Sequence, residues 1–374
     1  MSSYKISHQF LLGLIGVVAI FAIASLVIGI IALTKEMDDE DEYSSILSWK
    51  PTNVYAFGDS SNDPGNLFIL DPEAATGEHD ATFNVPDPLG VIVPVISKQR
   101  FGQYHTNCNY LLANEYLANS LRMKYLKGYA SNTLPSSQNI FIDFSISGAQ
   151  QGSSGYLLDP SIPSEVPSVE SQIDRFVTLF NQRGRDFHHR DVILIRAVGG
   201  NEFPWMAQAA VDGADPAVMI QNYINRVVTN ISKLYAVGAR NFVLEGFNEA
   251  STLLITKKII AVNPDLANSL LPLANDSWDG VKQTIDAQKD TLWPSINMTM
   301  KNQSFFRNWL TENASQVGII DDDVSMNDQI DDNLPVNPRQ RFWDDIHNSS
   351  AVHELWSYFL GTYLFESISQ VSTP

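Results

Sequence analysis

The sequence predicts an α/β fold in which helices connect the strands of a parallel sheet. Short apolar runs at residues 54–57, 191–197 and 241–245 have the length and composition of buried strands. The segment 215–237 has apolar residues at helical spacing, and Gly238 stands where a glycine commonly ends a helix. Strands that alternate with helices form a parallel sheet, and ligands bind beyond the carboxyl ends of its strands. We therefore expect the chemistry in the loops that follow these runs.

Two stretches of the chain do not show a clear period. Residues 71–100 and 157–167 contain several prolines and few regularly spaced apolar positions. We expect loops there, which either line the substrate site or only connect neighbouring elements.

The composition is that of a globular protein with a sizeable core. The chain has 374 residues, of which 44% are hydrophobic and 10% aromatic. The formal net charge of -18 argues against nucleic acid or another polyanion as a partner, because phosphate binding needs a surplus of Lys and Arg. The single cysteine, Cys108, excludes an internal disulfide, and we expect a packed thiol rather than a nucleophile, with only His105 nearby to activate it.

The N-terminal region predicts a membrane anchor. Residues 10–33 carry no charge, and a helix of this length would span about 36 Å, enough to cross a bilayer core of ~30 Å. We expect a transmembrane signal anchor there, with residues 1–9 as a cytosolic tail, 34–48 as an acidic juxtamembrane stalk and 49–374 as the folded domain. The alternative is a cleaved signal and a secreted protein, but the run is long and no small-residue cleavage site precedes the acidic cluster.

Potential glycosylation sites support a lumenal or extracellular location for the domain. Asn-x-Ser/Thr acceptor sequences occur after the predicted anchor and not before it. The candidates are Asn230, Asn275, Asn297, Asn302, Asn313 and Asn348. Together with the anchor they predict a single-pass type II membrane protein.

The first candidate functional residue is Ser60, which follows the apolar run at 54–57. A serine between a strand and a helix can lie at the helix N-terminus, where backbone N–H groups stabilise a developing negative charge. An ordinary N-cap serine among turn residues would have the same surroundings, and spacing alone does not decide between the two readings.

The second candidate is a carboxylate and histidine pair near the C-terminus. Asp344 precedes His347 by three residues, so the carboxylate could reach the imidazole within one turn and fix its tautomer. His347 is one of two histidines among the seven with an aspartate at this offset, the other being His189 after Asp186, so the spacing by itself is weak support.

Four ordered blocks of sequence resemble the GDSL (SGNH) lipase, esterase and acylhydrolase family. Residues 57–68 resemble its GDS-x-x-D-x-G-N signature, and 342–347 are similar to its terminal F-W-D-D-x-H block. Residues 143–149 and 198–203 resemble the blocks N-F-A-x-G-G-A and G-G-N-D. The resemblance implies a three-layer, flavodoxin-like SGNH-hydrolase sandwich around a parallel sheet. The G-x-S-x-G elbow of α/β-hydrolases is absent around Ser60.

The resemblance also implies the roles of individual residues. Ser60 would be the nucleophile, His347 its acid-base partner and Asp344 the group that orients the imidazole. The oxyanion hole would consist of the N–H groups of Ser60 and Gly148 and the side chain of Asn201. No metal or other cofactor is implied, and a zinc-protease motif is absent from the sequence.

Three further acidic residues lie close to the catalytic candidates in the sequence. Asp345 is the alternative orienting acid, whereas Asp59 and Asp63 are expected to shape the loop as hydrogen-bond acceptors. Three residues depart from the family pattern without removing a catalytic group, and these are Asp143 for asparagine, Glu202 for aspartate and Asn348 for proline.

The function expected from these observations is a serine esterase that acts through an acyl-enzyme on a small-molecule, lipid or carbohydrate ester. Acetyl esters of carbohydrate and the substrates of a lipase or phospholipase both fit, and the sequence does not decide between them. A catalytically silent surface-binding glycoprotein is the alternative from a different class, because a fold alone does not prove activity.

Overall fold

The structure is a computed structural model that describes residues 50–73, 78–102, 104–152, 166–184, 186–198, 201, 202, 206, 209, 214–246, 254–321 and 324–369. The predicted tail, anchor and stalk at 1–9, 10–33 and 34–48 lie outside these ranges. Among the helices within these ranges, none combines the length and the apolar character needed to span a bilayer.

The described elements alternate between strands and helices along most of the chain. The strands are β1 (Asn53–Phe57), β2 (Glu78–Pro86), β3 (Ile92–Arg100), β4 (Lys124–Lys127), β5 (Ile140–Asp143), β6 (Val192–Val198), β7 (Asn241–Gly246) and β8 (Asn297–Asn302). The helices are α1 (Asn66–Leu70), α2 (Ala113–Ser120), α3 (Val169–Arg183), α4 (Pro216–Ala236), α5 (Leu254–Val262), α6 (Ala267–Leu292), α7 (Gln303–Asn313), α8 (Met326–Asp331) and α9 (Ser350–Ser369).

The main sheet has six parallel strands in the order β4-β5-β1-β6-β7-β8. In the centre, Val54 of β1 pairs with Phe141 of β5 and with Val192 of β6. After β1 the chain moves to the β4 side, and after β5 it crosses to the β6 side, so the strand order reverses between β1 and β6. Such a reversal opens a crevice at the carboxyl ends of the two strands. The α/β fold with a parallel sheet, predicted from the sequence, is confirmed.

Helices cover both faces of this sheet because successive side chains of each strand point to opposite sides. On one face, the rings of Tyr55 and Phe57 contact Phe176 of α3, with ring centroids 4.9 and 5.5 Å apart. On the other face, the indole N–H of Trp356 in α9 donates to the carboxylate of Glu245 at 2.8 Å. The sheet is thereby buried between two helical layers.

The helix predicted at 215–237 is present as α4, with ends set by local chemistry. The side chain of Asp215 accepts a hydrogen bond from the N–H of Ala217, which satisfies one of the free donors of the first turn. At the other end, Gly238 has a φ of 105°, a conformation that favours glycine.

A correction concerns residues 78–100, where the sequence predicted a loop. β2 and β3 form an antiparallel two-stranded sheet, paired from Glu78 opposite Arg100 to Pro86 opposite Ile92. Prolines obscure the strand period in the sequence, yet they are tolerated because each strand of a two-stranded sheet has a free edge. The second predicted loop, 157–167, lies outside the described residues except for 166 and 167.

Two of the predicted glycosylation sites are buried in the fold, so the prediction is wrong for them. Asn230 is 1% exposed and its amide donates to the carbonyl of Gln151 at 3.3 Å, and Asn348 is 5% exposed. A glycan needs its asparagine amide at the surface, so Asn230 and Asn348 do not carry glycans in the folded protein. Asn275 is exposed, and the remaining candidates, Asn297, Asn302 and Asn313, are half-buried.

Candidate active site

The backbone of the loop after β1 is hydrogen-bonded to the side chain of a buried glutamine. The N–H of Gly58 donates to Gln172 Oε1 at 3.1 Å, and Gln172 Nε2 donates back to the Gly58 carbonyl at 2.9 Å. A side chain at position 58 would place its Cβ 2.9 Å from Asn62 Nδ2 and 3.1 Å from the Arg196 carbonyl, so a larger residue would force these neighbours to shift. These contacts fix the backbone two residues before Ser60.

Ser60, His347 and Asp344 form a continuous hydrogen-bonded chain. His347 Nε2 lies 2.7 Å from Ser60 Oγ. On the opposite side of the ring, Nδ1 lies 2.9 Å from each carboxylate oxygen of Asp344. Exposure decreases along the chain, from 6% for Ser60 to 3% for His347 and 0% for Asp344. The structure thus brings together the serine, histidine and aspartate that the sequence singled out.

Backbone donors hold the Asp344 carboxylate in place. Its Oδ1 accepts from the N–H groups of His347 at 2.8 Å and Ile346 at 2.9 Å, and its Oδ2 accepts from the N–H of Arg100 at 3.2 Å. The side chain cannot turn away from the imidazole without breaking these bonds. This arrangement fixes both the position and the orientation of the ring.

Asp345, the alternative orienting acid, points elsewhere. Its Oδ1 lies 2.6 Å from the ammonium of Lys258 in α5, and its carbonyl accepts from the N–H of Ile255. The structure therefore places Asp344, and not Asp345, against His347.

The structure does not place Ser60 at a helix N-terminus, which was one of the two readings that the sequence left open. The next helix, α1, begins six positions later at Asn66, and its first N–H groups are already occupied. Asp63 Oδ1 accepts from Asn66 at 2.5 Å, and Asp63 Oδ2 accepts from Leu67 at 3.2 Å. Gly65, with a φ of 92°, makes the turn that separates the serine from this helix.

Asp63 joins the serine loop to the loop after β5. Its Oδ2 also accepts from the N–H of Ser147 at 2.8 Å, one residue before Gly148. Burial raises the pKa of Asp63 to about 7, although the surrounding N–H donors oppose that rise. Asp59 has a similar local role, since its Oδ1 accepts from the N–H and hydroxyl of Ser61 at 3.0 and 2.7 Å. Both aspartates shape the loop, as the sequence predicts.

Three hydrogen-bond donors lie on the loops that follow β1, β5 and β6, the strands at the centre of the sheet. Within the described part of the chain, neither the Ser60 N–H nor the Gly148 N–H has an acceptor. Gly148 has a φ of 81°, which favours glycine. Asn201 Nδ2 donates to the Ala149 carbonyl at 2.9 Å, which ties this amide to the Gly148 loop and leaves its second N–H. These groups are suited to binding an oxygen that acquires negative charge.

Glu202 and Asp143 fill structural positions beside the site. Glu202 Oε1 accepts from the N–H of Gln151, and burial raises the pKa of Glu202 to about 8, with a further contribution from the charge of Asp59. Asp143 Oδ2 accepts from Asn114 at 2.7 Å and from the hydroxyl of Tyr125 at 2.9 Å. Burial also raises the pKa of Asp143. These departures from the family pattern are thus accommodated as buried acceptors.

The sequence interpretation missed two supporting residues. Gln172 was not singled out, although a glutamine among apolar helical positions is a signal for a buried polar contact. The interpretation also missed Arg100, whose carbonyl accepts from the Trp343 indole at 2.6 Å and whose N–H reaches Asp344. No local pattern indicates this contact, because it joins residues more than 240 positions apart.

Comparison with known protein families identifies a match over most of the chain. The family model described as GDSL-like Lipase/Acylhydrolase matches residues 54–359 of the chain. A search of curated proteins gives no significant match.

The high pKa of Glu202 generates a prediction about stability. A carboxyl group with a folded-state pKa of about 8, raised from 4.5, stabilises the fold below pH 4.5 and loses that contribution as the pH rises to 8. Glu202→Gln removes this titration and keeps the shape of the side chain. The urea midpoint of the variant should therefore decline less between pH 5 and pH 8 than that of the wild type.

Glu312, on the exposed surface of α7, provides the matched control. Glu312→Gln should leave the wild-type pH dependence unchanged. Identical pH slopes for Glu202→Gln and the wild type would contradict the account of Glu202 as a neutral buried acid.

Proposed function

The chain belongs to the GDSL-like lipase/acylhydrolase family, a family of ester hydrolases, and from that premise we propose that it hydrolyses carboxylic esters through an acyl-enzyme on Ser60. The observation that carries this proposal is the 2.7 Å contact between Ser60 Oγ and His347 Nε2. A hydroxyl needs such a base to become nucleophilic at neutral pH.

In the first half of the proposed reaction, Ser60 Oγ forms a bond to the ester carbonyl carbon while its proton passes to His347 Nε2. Asp344 stabilises the resulting imidazolium through Nδ1. The carbonyl oxygen becomes an oxyanion, which accepts hydrogen bonds from the N–H groups of Ser60 and Gly148 and from the amide of Asn201. When the tetrahedral intermediate collapses, the proton on Nε2 passes to the leaving alcohol.

In the second half, water attacks the acyl-enzyme and His347 takes its proton. The same donors bind the second oxyanion, and collapse returns the proton to Ser60 Oγ as the carboxylic acid leaves. The buried position of Asp344 keeps the ring orientation the same in both halves.

The alternative of a catalytically silent surface-binding glycoprotein has weaker support. A binding module has no need for a serine, histidine and aspartate in hydrogen-bond contact, nor for the unoccupied N–H groups of Ser60 and Gly148. The intact arrangement favours an enzyme.

We propose two candidate classes of substrate. Acetyl esters of carbohydrate remain the first candidate, because the net charge of -18 disfavours anionic lipids at low salt. A preference for short or neutral acyl groups was further inferred from the absence of a long uninterrupted apolar stretch in the loops that could line the substrate site, among them 71–100. That support is weakened, since Val91, Ile92 and Ile96 of this segment are exposed apolar side chains. The hairpin therefore favours lipid esters as the second candidate.

A substrate panel tests the proposal. We expect the protein to hydrolyse p-nitrophenyl acetate and acetylated xylan, with less turnover of a long-chain p-nitrophenyl ester and least of an anionic phospholipid. EDTA should leave the rates unchanged, and Ser60→Ala should be inactive on every substrate. Faster turnover of the long-chain ester or phospholipid would select the lipase, whereas no turnover of any ester by folded wild type would reject the proposal.

Neighbouring aspartates provide a matched test of the orienting role. Asp344→Asn should reduce turnover by about 10⁴-fold, because an amide at this position favours the wrong imidazole tautomer. Asp345→Asn, one residue further on, should reduce turnover far less, since Asp345 contacts Lys258 rather than the ring. Equal losses in the two variants, with the fold intact by circular dichroism, would refute the assignment.

We further propose that the protein is a single-pass type II membrane protein whose residues 49–374 face the lumen or exterior. The support is the uncharged run at 10–33 and the positions of the acceptor sequences, of which Asn275 is the most exposed. The domain boundaries at 9, 33 and 48 belong to the same proposal.

Expression in a eukaryotic secretory system tests this topology. Glycosidase treatment should increase gel mobility, Asn275→Gln should remove part of that shift, and carbonate washing should leave the protein in the membrane. Release of a shortened chain by carbonate would identify a cleaved signal. An unglycosylated full-length chain with a protease-protected body would mean the reverse orientation.

A further inference from the structure

The β2–β3 hairpin carries a group of exposed apolar side chains, including the two most exposed large ones in the described part of the chain, Leu89 and Val91. Leu89 in the turn is 88% exposed, Val91 is 58%, Ile92 is 56% and Ile96 is 48%. Single exposed apolar residues are normal on soluble proteins, but a group of large ones on one element marks an interaction surface. We refer to Leu89, Val91, Ile92 and Ile96 as the hairpin patch.

The opposite side of the hairpin is fixed to the domain. Val85 and Val95 are 3% and 6% exposed and belong to the hydrophobic core that includes Ile259 of α5. The Asn263 amide at the end of α5 also donates to the Pro86 carbonyl at 2.6 Å. Folding therefore uses one side of the hairpin and leaves the patch without a partner among the described residues.

The patch is uncharged within a strongly acidic protein. Asp87 is the only charged residue between positions 82 and 96. Its Oδ1 is held by the N–H groups of Leu89 and Val91, both at 2.8 Å, so the carboxylate serves the turn. The chain as a whole has a net charge of -18. We therefore expect the surface that binds the hairpin patch to have an apolar interior and an outer layer that is uncharged or zwitterionic.

The far end of the hairpin reaches the catalytic aspartate. Arg100, the last residue of β3, donates from its N–H to Asp344, accepts from the Trp343 indole, and forms an ion pair with Asp331 at 2.9 Å. A nine-residue strand spans roughly 30 Å, so a single strand connects the exposed turn to the site.

We propose that the hairpin patch inserts into the surface of a zwitterionic phospholipid bilayer. A projecting turn with aliphatic side chains and no free charge can bury its apolar area among acyl chains without desolvating an ion. The predicted anchor supports this occupant, because residues 34–49 extend at most about 58 Å, which keeps the domain near the bilayer. The proposal concerns binding and does not depend on ester hydrolysis.

The single native cysteine allows a direct test with a fluorescent label. Cys108 is 0% exposed, and burial raises the pKa of its thiol to about 12, so the folded wild type should not react with a maleimide or iodoacetamide dye. Leu89→Cys introduces a reactive thiol in the patch. Leu334→Cys is the matched control, because Leu334 is 55% exposed in another loop.

The full chain, labelled with an environment-sensitive dye, would be placed in phosphatidylcholine nanodiscs with or without nitroxide groups on the acyl chains. We expect a blue shift and strong nitroxide quenching at position 89, and little of either at position 334. Val91→Ser with Ile92→Ser in the Leu89→Cys background should reduce the quenching, while Val218→Ser, a change of an exposed valine in α4, should not.

Three outcomes would overturn the proposal. These are absence of quenching at position 89, equal quenching at positions 89 and 334, and a lipid-independent blue shift that grows with protein concentration. The third outcome would assign the patch to contact with a second copy of the chain. Because fluorescence reports binding alone, failure here leaves the proposed ester hydrolysis untouched, and loss of hydrolysis would leave this result valid.

Discussion

The contact between His347 Nε2 and Ser60 Oγ joins residues 287 positions apart and is the constraint on which the site depends. Ser60 follows β1, the third strand in the sheet order. His347 precedes α9, which packs against β6, β7 and β8 in the other half of the sheet. A 2.7 Å contact between such distant segments requires each to be fixed independently. Gln172 fixes the serine side through Gly58, and backbone donors to Asp344 fix the histidine side.

Buried polar groups supply that fixation, and each requires its hydrogen bonds. A buried acceptor that loses its donor costs about 1–3 kcal/mol, so a loop held by several such bonds has few alternative conformations. Asp63 shows the principle, because its carboxylate accepts from the loops after β1 and β5 and so sets Ser60 relative to Gly148. Arg100 extends the same principle to the β2–β3 hairpin, whose end becomes part of the support of Asp344.

The sequence predicted what local pattern determines and missed what only packing determines. Buried strands at 54–57 and 241–245 follow from apolar runs, and the pairing of Asp344 with His347 follows from their spacing and the family resemblance. The hairpin at 78–100 was missed because its prolines obscure the alternation of buried and exposed residues along the two strands. That alternation depends on α5, which packs against one side of the hairpin. The burial of Asn230 is likewise a property of the folded core, which an acceptor tripeptide cannot reveal.

A double-mutant comparison of Ser60→Ala and His347→Ala tests most directly whether these residues act as one unit. Turnover of an activated ester would be measured for each variant and for the double variant, with a fluorophosphonate probe to report the reactive serine. Our account predicts that each change alone removes nearly all turnover and labelling, and that the double variant loses little more. Wild-type labelling of a folded Ser60→Ala protein, or losses that multiply in the double variant, would contradict it.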